Sequence, residues 1–216
     1  AAKKALADHL TRTGRTGTVE DGLFPSTYRV KWDIVGEPKV SILIPNKDHT
    51  EDLEKCLHSI WTKTEWEHFE VIVLENNSTD PATFAYYKKA QQRYDGLRVV
   101  TYPKKGFNFS GINNFGRKYA TGEYLLLLNN DTEVTEDTLH YLRETLDNDR
   151  SIGAVCPKIR FFAPPQHIQF AGYTPLTRIT LRNALIGFGE PDDGRYDTPH
   201  DTPYAHGAAM MVRRET

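Results

Sequence analysis

The run Tyr124-Leu125-Leu126-Leu127-Leu128 is apolar at every position and ends abruptly at Asn129-Asn130-Asp131. A strand points alternate side chains at opposite faces of its sheet, so a strand with no polar alternate must be covered on both faces. Sheets covered on both faces are typically parallel, and parallel neighbours need long crossovers, usually helical. This one short run therefore demands a layered α/β chain.

The rest of the sequence supplies the layers. Val40-Ser41-Ile42-Leu43-Ile44, closed by Pro45, and Val71-Ile72-Val73-Leu74 read as two more buried strands, with a further strand over 97–101 and a fifth over 152–159. Between them Thr50 can cap a helix with Leu53, Cys56, Leu57, Ile60 and Trp61 on one face. Asp80-Pro81 starts another helix that runs to about Tyr94. Residues 109–119 form the next, broken by Gly122, and Thr135 can cap a last one through Leu146. Residues 1–38 read as a preamble from a longer protein, with a short helix over 1–10, loop over 11–21 and an extended segment over 28–34. Beyond Phe161 the periodicity fades into loops and short strands up to 208–211. The expected fold is a Rossmann-like, mostly parallel sheet flanked by helices.

Such sheets bind ligands at the carboxyl ends of their strands, where the strand order reverses. That selects residues 46–48, 75–78, 102–108 and 129–132. Asp131 is a carboxylate at a strand end, with the Asn130 amide oxygen beside it. Hard divalent cations take oxygen ligands, often one or two carboxylates plus substrate phosphates. Read alone, however, Asp131-Thr132 is better taken as a turn with side-chain-to-backbone hydrogen bonds. Glu75-Asn76-Asn77-Ser78 and Asn46-Lys47-Asp48 could hold a base or ribose edge, or be plain polar turns. Lys104 and Lys105 precede a glycine and a helix start, which suits phosphate as well as it suits a solvated basic loop. Asn113 and Asn114 lie inside that helix, where asparagine is unfavourable, so they have a packing or binding duty. His167, His200 and His206 lack metal-ligand spacing and read as structural or surface residues.

Composition narrows the partners. With 216 residues, 38% apolar and 26% charged, the chain can bury a core as a soluble domain. A net charge of −2 gives no electrostatic ground for nucleic acid, and aromatics at 11% are spread along the chain. No apolar run reaches the roughly 20 residues that span a bilayer. Cys56 and Cys156 read as two reduced core thiols, which points to a cytosolic protein, peripheral at a membrane surface. No glycine-rich phosphate loop is present.

Taken in order, these turns resemble the family 2 glycosyltransferases. Residues 40–45 are similar to the family's opening strand, and residues 53–60 to its first helix. Val73-Leu74-Glu75-Asn76-Asn77-Ser78-Thr79-Asp80 is similar to its second strand and turn. Phe107-Asn108-Phe109-Ser110-Gly111-Ile112-Asn113-Asn114, followed by residues 120–132, resembles a rhamnosyltransferase-like subgroup. Residues 204–215 resemble the acceptor-side strand.

The resemblance implies a GT-A domain over 39–216 and a UDP- or dTDP-sugar donor. It implies Mn²⁺ or Mg²⁺ held by Asp131. By motif position Pro45, Asn46, Asp48, Glu75, Asn76, Lys105, Asn113 and Asn130 would bind the nucleotide sugar. It further implies inverting transfer to a glycan or lipid-linked acceptor, in bacterial surface polysaccharide or glycan synthesis at the inner face of the membrane. The family's base follows a segment expected beyond Thr216, so no residue is assigned that role and the chain alone is expected to be inactive. A non-catalytic nucleotide- or glycan-binding module, or a nucleotidyltransferase, is the alternative.

Overall fold

A computed structural model describes residues 2–15, 17–22, 24–32, 38–164 and 166–215. The chain divides into two compact units, Ala1–Glu37 and Pro38–Thr216.

In the first unit, α1 (Ala2–Arg12) precedes an antiparallel pair, β1 (Gly17–Asp21) and β2 (Tyr28–Trp32). The stretch expected to be loop thus contains a strand. Gly-Thr-Val-Glu-Asp carries no alternation; its main-chain pairing with β2 makes it extended. Asp33 and Ile34, the end of the expected extended segment, lie outside the described residues.

The second unit is built on β3 (Val40–Asn46), β4 (Phe69–Glu75), β5 (Leu97–Thr101), β6 (Tyr124–Leu128), β7 (Ala154–Val155) and β10 (Ala209–Arg213). Among the described residues these form one sheet in the order β5-β4-β3-β6-β10-β7. The first four are mutually parallel, and β10 returns antiparallel to β6. Strand order therefore reverses between β3 and β6. Helices α2 (Thr50–Lys63), α3 (Pro81–Arg93), α4 (Phe109–Arg117) and α5 (Thr138–Asn148) alternate with the strands. Ile42, Leu43, Ile44, Ile72, Leu74 and Leu126 are fully enclosed, as the doubly apolar runs require, and Ile112 of α4 packs among them. No helix among the described residues is long and apolar enough to cross a membrane.

Three local expectations need correction. Thr50 is the first residue of α2, not its cap; the cap position is His49, whose side chain makes no capping bond. Helix α5 begins at Thr138, because the Thr135 backbone N–H donates to the Thr138 hydroxyl (3.0 Å) and closes a turn first. The strand expected over 152–159 is split. Its first part, β7, joins the main sheet, while β8 (Ile159–Arg160) pairs with β9 (Ile168–Phe170) in a small separate sheet. Pro157, which has no N–H to donate, sits between the two. Cys156 falls in the same break, and both thiols are unpaired. Burial pushes the Cys56 thiol up to about 12.

At the amino ends of the central strands lies a buried latch. The Glu70 carboxylate accepts from the Ser41 hydroxyl (2.6 Å), the Thr121 N–H (2.7 Å) and hydroxyl (2.8 Å), and Arg98 (2.7 Å), with Lys39 at 3.4 Å. Gly122 completes it by donating its N–H to the Ser41 oxygen at 2.8 Å. A Cβ on Gly122 would lie 2.5 Å from the Lys39 carbonyl oxygen and 2.7 Å from the Ser41 nitrogen, both backbone atoms. Gly122→Ala is thus expected to cost about 2 kcal/mol through overpacking. Urea unfolding reads this directly, and a loss under about 0.5 kcal/mol would show that the turn yields freely.

Candidate functional site at the strand ends

The carboxyl ends of β3, β4 and β6 meet at the point where strand order reverses. Asn46 ends β3, in register with Glu75 at the end of β4. Across the reversal, the Asn130 Nδ2 donates to the Asn46 Oδ1 at 2.6 Å. Asn46 and Glu75 are almost completely enclosed, which is unusual for polar side chains and requires partners.

Those partners are supplied locally. The Asn46 Nδ2 donates to the Asp48 carbonyl and to the Tyr87 hydroxyl, both at 2.8 Å. Tyr87 donates in turn to the Glu75 Oε2 at 2.7 Å. Ser78 gives Glu75 two more bonds, from its N–H and its hydroxyl, each 2.6 Å. The Asp48 carboxylate accepts from the Thr79 N–H (2.9 Å) and the Asp80 N–H (3.0 Å). The Asp80 N–H foremost, joined by the Thr79 bonds against an opposing effect of burial, holds the Asp48 carboxyl below the usual range.

Backbone strain collects at the same place. Asp48, His49 and Asn77 have φ of 55°, 46° and 59°, the left-handed region that non-glycine residues rarely enter. Such outliers tend to gather at binding sites, where the surroundings hold them. Here the holding bonds are those of Asp48 to the β4 turn and of the Asn77 amide to Asn76 (3.1 Å) and to the Lys104 carbonyl (2.9 Å).

The last bond also ties in the 102–108 loop. Lys104 and Lys105 are exposed there. The first turn of α4 does not present all its amides, because Asn108 caps it by accepting from the Gly111 N–H at 2.8 Å. Asn113, one turn further on, donates back to the Phe109 carbonyl at 2.9 Å. Its Oδ1 is buried without a partner among the described residues, an open acceptor of the kind a ligand or water satisfies.

After β6, Asn129 is fixed by its N–H to the Ala208 carbonyl (2.9 Å) and by the Thr132 hydroxyl on its own carbonyl (2.7 Å). Asp131 follows, exposed, and its carboxylate carries no hydrogen bond or ion pair among the described residues. No group of three or more His, Cys, Asp or Glu side chains that could hold a metal ion is found among them. One free carboxylate beside an amide oxygen fits a hard cation that takes its remaining oxygens from a ligand, and does not fit a self-contained metal centre.

Of the residues selected from sequence, Asn46, Asp48, Glu75, Asn76, Asn130 and Asp131 share this edge, with Pro45 inside β3 beside Asn46 and Lys105 on the adjoining loop. The structure brings Tyr87 and Asn77 into the same network, and gives Ser78 a defined part in it. Tyr87 had a signal: Thr83, Tyr87 and Ala90 line the buried face of α3, and a buried tyrosine hydroxyl needs a partner. His206 packs on Phe170, with ring centroids 4.6 Å apart, and accepts from the Ala208 N–H at 3.2 Å. A hollow lined by Lys118, Tyr124, Asp147, Arg150 and Arg213 lies at the other end of β6 and shares no residue with the strand ends.

A mostly parallel sheet with helices on both faces, a reversal between β3 and β6 and a polar rim holding one free carboxylate define an α/β domain of the GT-A class. The chain belongs to glycosyltransferase family 2: the profile described as Glycosyl transferase family 2 matches residues 41–215. Relatives include the O-antigen biosynthesis protein RfbC of Myxococcus xanthus, 36% identical over 100% of this chain and 17% of that protein. The uncharacterized protein y4gI of Sinorhizobium fredii is 33% identical over 80% of this chain and 19% of its own length. The chain thus spans less than a fifth of either relative. The fold is similar to that of the mannosyltransferase PcManGT of Pyrobaculum calidifontis, solved in complex with GDP-Man and Mn²⁺. The TM-score is 0.56 at 19% identity, covering 99% of this chain and 52% of that one.

Proposed function

We propose that the strand-end rim is the donor site of a metal-dependent, inverting glycosyltransferase acting in the synthesis of bacterial surface polysaccharide or glycan. The donor is a nucleotide-diphosphate sugar, and the acceptor a hydroxyl of a glycan or lipid-linked glycan. The observation that carries the reading is the 2.6 Å bond between Asn130 and Asn46, which joins the two sides of the reversal into one polar edge next to the free carboxylate of Asp131.

In this reading Pro45, Asn46, Asp48 and Asn76 shape the nucleoside side, with Glu75 organising them from beneath. Asp48 holds the β3 and β4 turns in their left-handed geometry. Lys105, exposed on the adjoining loop, faces the diphosphate, and the open oxygen of Asn113 accepts from the donor. Asp131 and the Asn130 oxygen hold Mn²⁺ or Mg²⁺. The cation, when bound, neutralises charge on the departing nucleotide diphosphate. The general base is assigned to no described residue. The working place, on this reading, is the cytoplasmic face of the membrane.

Support comes from the family, from the name of the Myxococcus relative and from the ligands of the Pyrobaculum structure. The test is calorimetry with UDP, dTDP and GDP, each with and without Mn²⁺. At least one should bind, more tightly with the metal. Failure of all three in both conditions would end the donor-site reading.

A further inference from the structure

The strand-end network has a direction, and the direction can be deduced atom by atom. The Asp48 carbonyl oxygen can only accept, so the Asn46 side-chain atom 2.8 Å from it is the amine. The second hydrogen of that amine goes to the Tyr87 oxygen at 2.8 Å. Tyr87 then has its one hydrogen left for the Glu75 carboxylate at 2.7 Å. Burial raises the pKa of the Tyr87 phenol and keeps that hydrogen in place. The other atom of the Asn46 carboxamide is therefore its oxygen, which can only accept, and the Asn130 atom 2.6 Å away must be an amine. By exclusion the remaining terminal atom of Asn130, beside Asp131, is an oxygen. It carries no hydrogen bond among the described residues.

The Asp48 carbonyl holds one hydrogen of the Asn46 amide and the Tyr87–Glu75 pair holds the other, and together they keep the Asn130 carboxamide from turning over. Turned over, it would present N–H groups where an oxygen stands, and these repel a cation and cannot accept from a hydroxyl. Two enclosed side chains, Asn46 and Glu75, and Tyr87 of α3 hold this chain of bonds in place.

We infer that Tyr87 is a positioning residue: acting through Asn46, it fixes the Asn130 carboxamide with its oxygen open, ready for an electron-poor partner, either a divalent cation or a sugar hydroxyl. The inference rests on the donor-site reading. It gives Glu75 the part of a buried anchor that starts the chain, not of a direct ligand.

The test is a double-mutant cycle on nucleotide binding. UDP, dTDP and GDP are titrated into the wild type, Tyr87→Phe, Asn130→Ala and the double variant, with and without Mn²⁺, and the melting temperature of each is recorded. Tyr87→Phe keeps the ring and removes only the hydroxyl. Groups that orient metal ligands from behind typically affect metal affinity 10–100-fold, so Tyr87→Phe should weaken nucleotide binding by about tenfold or more in the wild-type background. In the Asn130→Ala background it should weaken it by less than about twofold, because the group it positions is gone. A loss confined to the Mn²⁺ titrations identifies the cation as the partner; an equal loss without metal identifies a hydroxyl of the nucleoside sugar. Equal losses from Tyr87→Phe in both backgrounds overturn the relay while leaving the donor site standing. A wild type that binds none of the three nucleotides overturns the donor-site reading and the relay with it. If Tyr87→Phe does not fold, Glu75→Gln, which alters the anchor of the chain and not a ligand, replaces it in the same cycle and the same outcomes decide.

Discussion

Glu70→Ala should lower the stability of the second unit by about 3–4 kcal/mol, or roughly 10 °C in melting temperature for a domain of this size. The substitution leaves the Ser41 hydroxyl and the Thr121 N–H without their acceptor. It also removes the partner of Arg98 and Lys39. The two cations are partly exposed and can turn to water, so the loss is dominated by the hydrogen bonds and the void, not by the ion pairs. The pH dependence follows from the same contacts. Burial by itself would raise the Glu70 pKa, but the Ser41 and Thr121 bonds and the Lys39 charge outweigh it and hold the group at about 2. An unfolded glutamate titrates near 4.3. The folded pKa is thus depressed, so this stabilisation is complete above about pH 5 and is lost as pH falls toward 2. Glu70→Gln should be less stable than the wild type at pH 7, and the gap should narrow as the pH is lowered through that window. Urea titrations at pH 7 and pH 3.5 check both points; a constant gap would mean that Glu70 is not the titrating group.

Asp131→Ala should do the opposite: spare the fold and remove the metal effect. Asp131 is exposed and has no partner among the described residues, so its loss should change stability by less than about 0.5 kcal/mol. Nucleotide-diphosphate affinity in the presence of Mn²⁺ should fall to the metal-free value. A difference of tenfold corresponds to about 1.4 kcal/mol. Calorimetry with thermal melts separates the outcomes. A marked drop in melting temperature would reveal a structural turn residue, and an unchanged Mn²⁺ response would move the cation elsewhere.

How much of this could be read in advance varied with burial. The four parallel strands and their order along the chain were legible because runs such as residues 71–74 and 124–128 are apolar at successive positions, and only a covered sheet accommodates that. Asp80 capping Ala82 ahead of Pro81 was legible for the same reason: the chemistry is local. The β7–β8 break and the start of α5 were not, because they depend on partners distant in sequence (β10 and β9) or on one threonine closing a turn on another. At the rim, the positions of Asn46, Asn130 and Asp131 followed from strand ends. Their division of labour did not. Glu75 looked like a ligand in sequence and lies enclosed beneath Tyr87 and Ser78 in the structure, a distinction that requires knowing which way α3 faces.

The pairing of β10 with β6 has a temporal side. The turn proposed to hold the cation is complete in sequence at Asp131, yet its first residue is pinned by the carbonyl of Ala208, at the mouth of a strand that ends at Arg213. On a ribosome the parallel half of the sheet can assemble as soon as β6 emerges, whereas the 129–131 turn must wait for the whole irregular stretch between α5 and β10 before it is locked. Nascent chains released before residue 209 would therefore lack the contact that pins Asn129 while keeping the β3–β4 pairing intact. Chain elongation would thus set this edge in two instalments, with the 129–131 turn anchored last.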